Sequence, residues 1–384
     1  MTTLKKIVIA PDSFKESLSA MDVAKAIEAG FRDIYPQANY VCLPMADGGE
    51  GTVEAMVAAT GGHIVHVPVT SPLGRRVEGF YGVLGDGETA VIEMAAASGL
   101  HLVPPADRDP RITTSFGTGE LILAALDSGA SAIIIGIGGS ATNDGGAGMM
   151  QALGARFLDD QHRGLLPGGA ALANLARLDL SGLDPRLANI TFTVACDVDN
   201  PLCGEHGASA VFGPQKGATP EMVPMLDAAL RRFGETLEAA TGKTIIRAPG
   251  AGAAGGMGAA LLGMLNAQLR PGIDIVIESL GLAQVVHDAD LVITGEGRLD
   301  SQSIHGKTPI GVARVAKQFQ RPVVAIAGSL TRDYQVVHQH GIDAAFSVID
   351  RVVTLEEALA DASHNLRVTA RNVAALWRLA ENRR

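Results

Sequence analysis

The sequence predicts an α/β fold on a parallel sheet, with a second α/β domain inserted into the first. Short apolar strands alternate with amphipathic helices near both ends of the chain, an order typical of parallel sheets. The middle carries three consecutive strand-like segments, which favours antiparallel pairing. At 384 residues the chain also exceeds the usual size of one core. We therefore expect one domain from residues 1–62 and 286–384, and an inserted domain from 63–285.

The N-terminal elements follow a β-loop-α pattern. Lys6–Ala10 is predicted as a buried strand, and Ser19 with Asp22 forms the capping signal of the helix that follows. A second strand is predicted at Tyr40–Leu43, and a helix runs from about Val53 to Ala59.

The middle of the chain begins with strands at His63–Val69, Val77–Leu84 and Thr89–Met94, and the short connection Gly85–Gly87 predicts a hairpin. Further elements are predicted as follows: a helix at 117–128, strands at 132–137 and 190–195, a helix at 220–240, and a helix that opens in Gly250–Gly258 and runs to about Leu269.

Towards the C-terminus the β/α alternation returns. Strands are predicted at Leu291–Thr294, Pro322–Ala327 and Ala344–Ile349. Thr354 and Glu357 form a capping box for one last helix, whose apolar positions continue to Trp377.

Composition excludes several classes of function. Lys and Arg number 31 and Asp and Glu number 41, which gives a net charge of 31 − 41 = −10. Such a balance disfavours nucleic acids and anionic membranes as partners. Cys42, Cys196 and Cys203 lack metal-type spacing and predict reduced thiols in a cytoplasmic protein. The N-terminus has no signal-peptide pattern, and no segment reaches the ~18 apolar residues of a membrane span.

The segment Ile133–Gly148 is the strongest candidate for a ligand site. An apolar strand ends in a loop with six glycines among positions 136–148. Glycines free the backbone to turn sharply and to present N–H groups to a ligand. Ser140 and Asn143 add polar side chains to that loop. Because ligands sit at the carboxyl ends of strands in open parallel sheets, we expect chemistry here.

Several further loops combine glycine or proline with charged residues at the predicted end of a strand. Backbone N–H groups and acids together suggest a site for a polyanion and a metal ion. Simple turns and helix starts use the same residue types, and an ion pair with Arg298 is an alternative for the last two acids. The candidate acids are Asp12, Asp47, Asp197, Asp199, Glu296 and Asp300.

Two nucleotide-binding patterns need to be weighed. Gly136–Ala141 and Gly250–Gly255 fit dinucleotide-binding spacings, so a nicotinamide-dependent dehydrogenase stays open as an alternative. Gly306–Thr308 resembles the end of a P-loop, but Ser301 stands where that motif needs a glycine. We reject a P-loop, and Lys307 remains a candidate phosphate contact at a helix start.

Seven blocks in order along the chain resemble the signature blocks of the bacterial type I glycerate kinases. The blocks are APDSFKESLSA (10–20), MADGGEGT (45–52), GIGGSATNDGGAGM (136–149), CDVDNPL (196–202), VFGPQKGA (211–218), PGAGAAGGMG (249–258) and GEGRLDSQSIHGKTP (295–309).

This resemblance implies ATP-dependent phosphorylation of D-glycerate with Mg²⁺, giving 2-phospho-D-glycerate in the breakdown of carbohydrate acids. It also implies a flavodoxin-like domain carrying an inserted domain of restriction-endonuclease-like topology. Phosphorylation at C3, a nucleotide sensor without catalysis and a homo-oligomer stay open.

The resulting hypothesis assigns a role to each candidate residue, with in-line transfer of the γ-phosphate to the glycerate hydroxyl. The candidate catalytic residues are Asp197, Lys15, Asp12 and Arg298, with Asp197 as base. The candidate ATP-binding residues are Gly138, Gly139, Ser140, Asn143, Lys216, Gly252, Gly255, Gly256 and Lys307. The candidate metal ligands are Asp47, Asp199, Glu296 and Asp300.

Overall fold

Residues 5–381, described by a computed structural model, form a mixed α/β protein whose two larger sheets are wholly or mainly parallel. The strands are β1 Lys6–Ile9, β2 Asn39–Cys42, β3 His63–Thr70, β4 Arg76–Val83, β5 Thr89–Glu93, β6 Ala132–Gly136, β7 Arg156–Leu158, β8 Arg177–Asp179, β9 Thr191–Ala195, β10 Gln268–Arg270, β11 Leu291–Thr294, β12 Arg298–Leu299, β13 Val323–Ala327, β14 Ser329–Leu330 and β15 Ala344–Ser347. The helices are α1 Ala20–Arg32, α2 Thr52–Thr60, α3 Ala95–Ser98, α4 Phe116–Asp127, α5 Ala147–Ala152, α6 Ala208–Phe212, α7 Met222–Thr241, α8 Ala253–Met264, α9 Gly272–Ser279, α10 Leu282–Val286, α11 Thr308–Gln318, α12 Leu355–Ala360 and α13 Ala362–Glu381.

The contacts divide the chain into two compact units. The first unit consists of residues up to Asp47, Glu54–Gly61 and the chain from Gly272 onwards. The second unit consists of Gly48–Val53 and Gly62–Pro271. The first unit is therefore discontinuous in sequence.

The first unit contains a five-stranded parallel sheet in the order β15-β13-β11-β1-β2. Apart from Lys6, its central strands consist of β-branched and other small or apolar residues that are buried on both faces, as expected for a parallel sheet covered by helices. β1 and β11 run side by side, and the N–H of Asp12 donates to the carbonyl of Gly295 over 2.8 Å. This backbone hydrogen bond therefore connects the first residues of the loops that follow these two strands.

Helices α1 and α13 pack closely in the first unit. The predicted cap of α1 is present, since the hydroxyl of Ser19 accepts from the N–H of Asp22. A Cβ at Gly30 would lie 2.3 Å from the carbonyl oxygen of Arg367, so only glycine permits this approach of the two helices.

The second unit contains a six-stranded mixed sheet in the order β10-β9-β6-β5-β4-β3. β3, β4 and β5 are antiparallel neighbours, and the predicted hairpin between the last two is present, with Val83 opposite Ala90. β5, β6, β9 and β10 are parallel. β6 therefore lies inside the sheet with its carboxyl end pointing into the glycine loop.

Two predicted elements differ from the structure. The last helix is interrupted at Asp361, so the capping box of Thr354 and Glu357 starts the short α12, and α13 follows as a separate helix. The helix predicted to reach Leu269 ends at Met264. Its first residues, Ala254–Gly256, have left-handed backbone angles, with φ of 51° at Ala254, because they form a packed turn before regular helix begins.

Gly255→Ala tests how tightly this turn is packed. Gly255 has φ of +67°, and an added Cβ would lie 2.0 Å from the carbonyl oxygen of Thr142. Gly242 has φ of +72° but open space around its Cβ position, so Gly242→Ala is a matched control for the backbone angle alone. We expect Gly255→Ala to lower the free energy of unfolding by roughly 1–3 kcal/mol more than Gly242→Ala, measured by urea denaturation. Equal losses would contradict the packing argument.

Candidate functional site

The glycine loop exposes two backbone N–H groups at its start. Gly138 and Gly139 are exposed, whereas the rest of the loop is buried. A Cβ on Gly138 would meet nothing within 4 Å, and φ is +72° at Gly139. No hydrogen bond within residues 5–381 uses the N–H of either glycine. The turn is therefore open to an anion, as a phosphate-binding loop requires.

The end of the same loop is fixed by Asp144, which is buried. Its carboxylate accepts from the N–H and hydroxyl of Ser115, each over 2.8 Å, and from the N–H groups of Gly146 and Gly148. Burial raises the pKa of Asp144, and these four donated bonds oppose that rise. Asp144 therefore holds the loop against the start of α4.

The middle of the loop is buried and incompletely satisfied. The amide nitrogen of Asn143 donates to the hydroxyl of Ser209 over 2.9 Å. The side-chain oxygens of Thr142 and Asn143 have no hydrogen-bond partner in the described part of the chain. Buried polar atoms of this kind are rare and cost stability. The two unpaired oxygens therefore lower the stability of the folded loop, so its conformation is not the one that stability alone would favour.

Lys216 reaches this loop from a 3₁₀ helix at Pro214–Lys216. Its side chain is 1 % exposed, and its Nζ donates to the Ser140 hydroxyl over 2.7 Å and to the Thr142 carbonyl over 2.6 Å. Burial lowers the pKa of Lys216 to about 7, and the charge of Asp144 opposes that change. Its ammonium therefore bonds inside the protein, whereas the sequence predicts that it contacts ATP phosphates.

The second glycine cluster packs against the first loop and the segment after β9. Gly252, Gly255 and Gly256 are buried. Their Cβ positions lie 2.2 Å from the Pro201 carbonyl, 2.0 Å from the Thr142 carbonyl and 2.9 Å from a Leu202 methyl group, respectively. Close packing accounts for these three glycines, and phosphate binding by them stays a prediction.

Two acids follow β9 in the second unit. Asp197 and Asp199 are exposed, at the carboxyl end of a strand that neighbours β6. The N–H of Gly252 donates to the carbonyl of Asn200 over 2.9 Å, which joins this segment to the second glycine cluster. The structure thus brings together the glycine loops, Lys216 and this acidic segment.

In the first unit, Asp12 follows the central strand β1 and is only partly exposed. Its carboxylate accepts from the N–H of Ser13 and from the hydroxyl of Thr308, each over 2.7 Å. Burial, and then the negative charges of Asp47 and Glu296, raise the pKa of Asp12 to about 7 against bonds that lower it. The repulsion indicates that these three acids lie near one another.

A second group in the first unit surrounds Lys307, which occupies the N-cap position of α11 but makes no side-chain capping bond. Glu296 and Asp300 are buried, and their carboxylates lie 3.5 Å and 3.9 Å from the Lys307 Nζ. Glu296 also accepts from the hydroxyl of Ser303, and burial raises its pKa. We name Glu296, Asp300, Ser303 and Lys307 the acid–lysine cluster.

The remaining predicted cations lie at the edges of these groups. Arg298 is exposed and donates to the Asp300 carboxylate over 3.1 Å, so the alternative of an internal ion pair is present. Lys15 is exposed three residues after Asp12. Both are positioned where an incoming anion can reach them.

Within residues 5–381, no group of three or more His, Cys, Asp or Glu side chains is arranged to hold a metal ion by itself. No helix of the same range is long and apolar enough to cross a membrane.

Several residues of the site were not predicted from the sequence. Ser98, Thr113, Ser115 and Ser209 bind the first glycine loop, and Thr308 binds Asp12. They lie far from their partners along the chain. Only Thr308 carried a local signal, since it follows Lys307 at a helix start marked by Pro309.

Comparison with known proteins decides the family. A family profile described as "Glycerate kinase family" matches residues 7–378. The chain belongs to the glycerate kinase family. It is 61 % identical over 369 residues to the "Glycerate kinase" of Haemophilus influenzae, covering 96 % of this chain and 98 % of that protein. It is 61 % identical over 370 residues to the "Glycerate 2-kinase" of Escherichia coli, covering 96 % and 97 %.

A solved structure supports the same relationship. The crystal structure of "putative glycerate kinase 2" from Salmonella typhimurium LT2 matches with a TM-score of 0.92 and 61 % sequence identity. The match covers 99 % of this chain and 100 % of that chain.

Membership of the glycerate kinase family agrees with how the nucleotide motifs fold. A dinucleotide site needs the strand after the glycine loop to join the parallel sheet. Here β7 instead pairs antiparallel with β8 in a separate two-stranded sheet. Among residues 5–381 no strand leads directly into Gly250–Gly255. Neither glycine loop therefore has the setting of a dinucleotide site, which disfavours the dehydrogenase alternative. A P-loop joins a strand directly to a helix, whereas β12 and a 3₁₀ helix separate β11 from α11, as the rejection of that motif predicts.

Asp12→Asn is expected to stabilise the protein above neutral pH. The pKa of Asp12 is raised from 3.8 to about 7, so the folded protein holds a proton that the unfolded chain releases between these values. Stability from this group is therefore present at low pH and lost as pH rises through 7. We expect a higher midpoint of thermal unfolding for Asp12→Asn at pH 8, with a smaller gain at pH 5.

The control for this experiment is Asp350→Asn, which removes an exposed carboxylate from the same unit. It should leave the midpoint nearly unchanged at both pH values. A lower midpoint for Asp12→Asn at pH 8 would show that the Asp12 charge is stabilising, contrary to its electrostatic surroundings.

Proposed function

We propose that the protein transfers the γ-phosphate of ATP to D-glycerate and releases 2-phospho-D-glycerate and ADP. The observation that carries this proposal is the 61 % identity to the glycerate 2-kinase of Escherichia coli over nearly the whole of both chains. The open turn at Gly138 and Gly139 and the cations of the first unit supply the anion-binding chemistry that such a reaction needs.

Each group has a role in this proposal. The N–H groups of Gly138 and Gly139 bind ATP phosphates, as does Lys307 at the start of α11. Lys15 and Arg298 hold the glycerate carboxylate or the γ-phosphate, and a planar guanidinium suits either anion. Asp197 takes the proton of the attacking hydroxyl, since it is an exposed carboxylate at the end of β9.

Asp12 is the second candidate for the base. Its carboxylate is oriented by Ser13 and Thr308, which leaves it held in one position at the end of β1. Positioned acids of this kind serve in phosphoryl transfer by orienting the nucleophile. The two acids are distinguished by their variants below.

The acids of the first unit fit a magnesium ion that arrives with the nucleotide. Mg²⁺ in kinases uses one or two carboxylates together with substrate phosphates, so a preformed cage is unnecessary. The negative charges of Asp47 and Glu296 act on Asp12, and a bound cation would relieve this repulsion. The carboxylates of these acids are also suitable oxygen ligands for such a cation. Asp47, Glu296 and Asp300 would hold the ion there, and Asp199 is the candidate ligand in the second unit. When bound, Mg²⁺ neutralises charge on the transferring phosphate.

We also propose the finer fold assignment. Numbered along the first unit alone, its sheet has the strand order 2-1-3-4-5, the flavodoxin-like order, which supports that assignment. The division into an outer domain and an inserted domain of restriction-endonuclease-like topology is supported by the two compact units, with the chain returning to the first at Gly272.

The core proposal is tested by incubating the purified protein with ATP, Mg²⁺ and D-glycerate. We expect ADP release that depends on D-glycerate, and a phosphorus NMR signal of a phosphate ester at C2. L-glycerate and lactate serve as controls for the substrate. Absence of D-glycerate-dependent ADP would reject the kinase activity, and a C3 ester would reject the proposed position of transfer.

Asp197→Asn and Asp12→Asn separate the two candidate bases. The variant of the true base should lose at least about 10²-fold in kcat, because general base catalysis contributes that much, while ATP still binds. Glu205→Gln is the control, because Glu205 is an exposed acid a few residues further along the chain and has no role in the proposal. Near-normal kcat for Asp197→Asn would remove Asp197 from the role of base.

A further inference from the structure

Lys216 is a buried lysine whose position the proposed reaction leaves unexplained. A buried ammonium costs stability unless it is paired and hydrogen-bonded. Its Nζ makes two bonds within the glycine loop, to the Ser140 hydroxyl and the Thr142 carbonyl. With an exposure of 1 % it does not reach the surface where a nucleotide would bind.

The two bonds fix the part of the loop that follows the open turn. Ser140 comes directly after Gly138 and Gly139, and Thr142 follows two residues later. Ala141, between them, donates its N–H to the carbonyl of Ser98 and accepts at its own carbonyl from Thr113. Because the chain is held on both sides of Ala141, the direction of the preceding N–H groups is held as well.

The charge of Lys216 is poorly compensated inside the protein. Among the described residues, Asp144 is the titratable group whose charge acts on it. That carboxylate is already bound by four donors from Ser115, Gly146 and Gly148. On the side of its own 3₁₀ helix, Arg108 donates to the neighbouring Gln215 carbonyl and adds a further positive charge. An anion on the open turn would supply the missing negative charge.

We infer that Lys216 is a positioning residue, which holds residues 140–142 so that the N–H groups of Gly138 and Gly139 point at a phosphate, and which places a buried positive charge behind them. This inference rests on the proposed function, because the phosphate is that of ATP. It replaces the direct contact with ATP that the sequence predicts for Lys216.

Proton uptake follows from the same geometry. A phosphate near the ammonium favours its protonated form, and burial has lowered the pKa of Lys216 to about 7. At pH 8, above this pKa, most of the free protein therefore carries a neutral Lys216, and ATP binding would restore its proton. Binding should then take up protons from the buffer.

The test compares Lys216→Met with Lys243→Met. Lys243 is a matched control in the same unit, because its Nζ also donates to backbone carbonyls, those of Leu262 and Gly263, over 2.9 and 3.0 Å. ATP binding is measured by calorimetry at pH 8 in buffers of different ionisation enthalpy, and hydrogen exchange is measured on the peptide spanning 136–148.

For Lys216→Met we expect at least tenfold weaker ATP binding, loss of the buffer-dependent heat and faster exchange in that peptide. Lys243→Met should keep all three at wild-type values. Lys216→Arg keeps the charge and should restore part of the ATP affinity. Wild-type ATP affinity together with wild-type exchange in folded Lys216→Met would overturn the inference.

A second variant decides the question if Lys216→Met does not fold. Ser140→Ala removes one of the two acceptors of the ammonium, so it should weaken ATP binding several-fold and speed exchange within 136–148. Wild-type values for Ser140→Ala would then overturn the inference. Failure of the proposed function is separate, since the wild-type protein would itself show no D-glycerate-dependent ADP.

Discussion

The close approach of two glycine loops is the constraint on which the second unit depends. Gly255 lies against the carbonyl of Thr142, and Gly145 donates its N–H to the carbonyl of Gly255. The approach of the Thr142 carbonyl leaves no room for a Cβ at Gly255. The N–H of Gly252 donates to the carbonyl of Asn200, so the segment after β9 is joined to the same packed group of loops. Gly138 and Gly139 are exposed at the start of a loop whose remaining residues are buried in that packing.

In the first unit the candidate site residues interact mainly through their charges, whereas in the second unit the candidate loops are held mainly by backbone packing. Asp12, Glu296 and Asp300 stand at the ends of neighbouring parallel strands or directly beyond them, where strand order alone brings them together. Burial, and then the negative charges of Asp47 and Glu296, raise the pKa of Asp12, so an ionised Asp12 is costly to the folded protein. Lys307 lies beside Glu296 and Asp300, and its positive charge offsets part of the repulsion that Asp300 exerts on Glu296. Such an arrangement is typical of a site that is completed by a bound cation.

Much of the fold could be predicted, because apolar segments with turn residues between them mark strands locally. The hairpin of β4 and β5 and the cap of α1 follow from a few adjacent residues. The break at Asp361 could not be predicted, since the apolar positions continue at helical spacing across it.

The site was predictable as a set of loops but not as a set of contacts. Glycine in a sequence indicates either a ligand-facing backbone or a close approach between chains, and the sequence does not distinguish them. Gly138 has open space around its Cβ position, whereas Gly255 lies against the carbonyl oxygen of Thr142. Lys216 shows the same limit, because nothing near it in sequence indicates that it is buried. Its partners lie 76 and 74 residues away along the chain.

The left-handed residues Ala254–Gly256 have a consequence for the order of folding. A right-handed helix nucleated in α8 cannot extend backwards through three residues of opposite hand. These residues reach their conformation only when Thr142 and Gly145, more than a hundred positions earlier, are in place against them. Contacts so distant in sequence are expected to form late in folding. Closing the intervening chain loses conformational entropy before the contacts contribute any stabilising free energy. We therefore expect both glycine loops to become ordered in a single cooperative step, after the sheet beneath them.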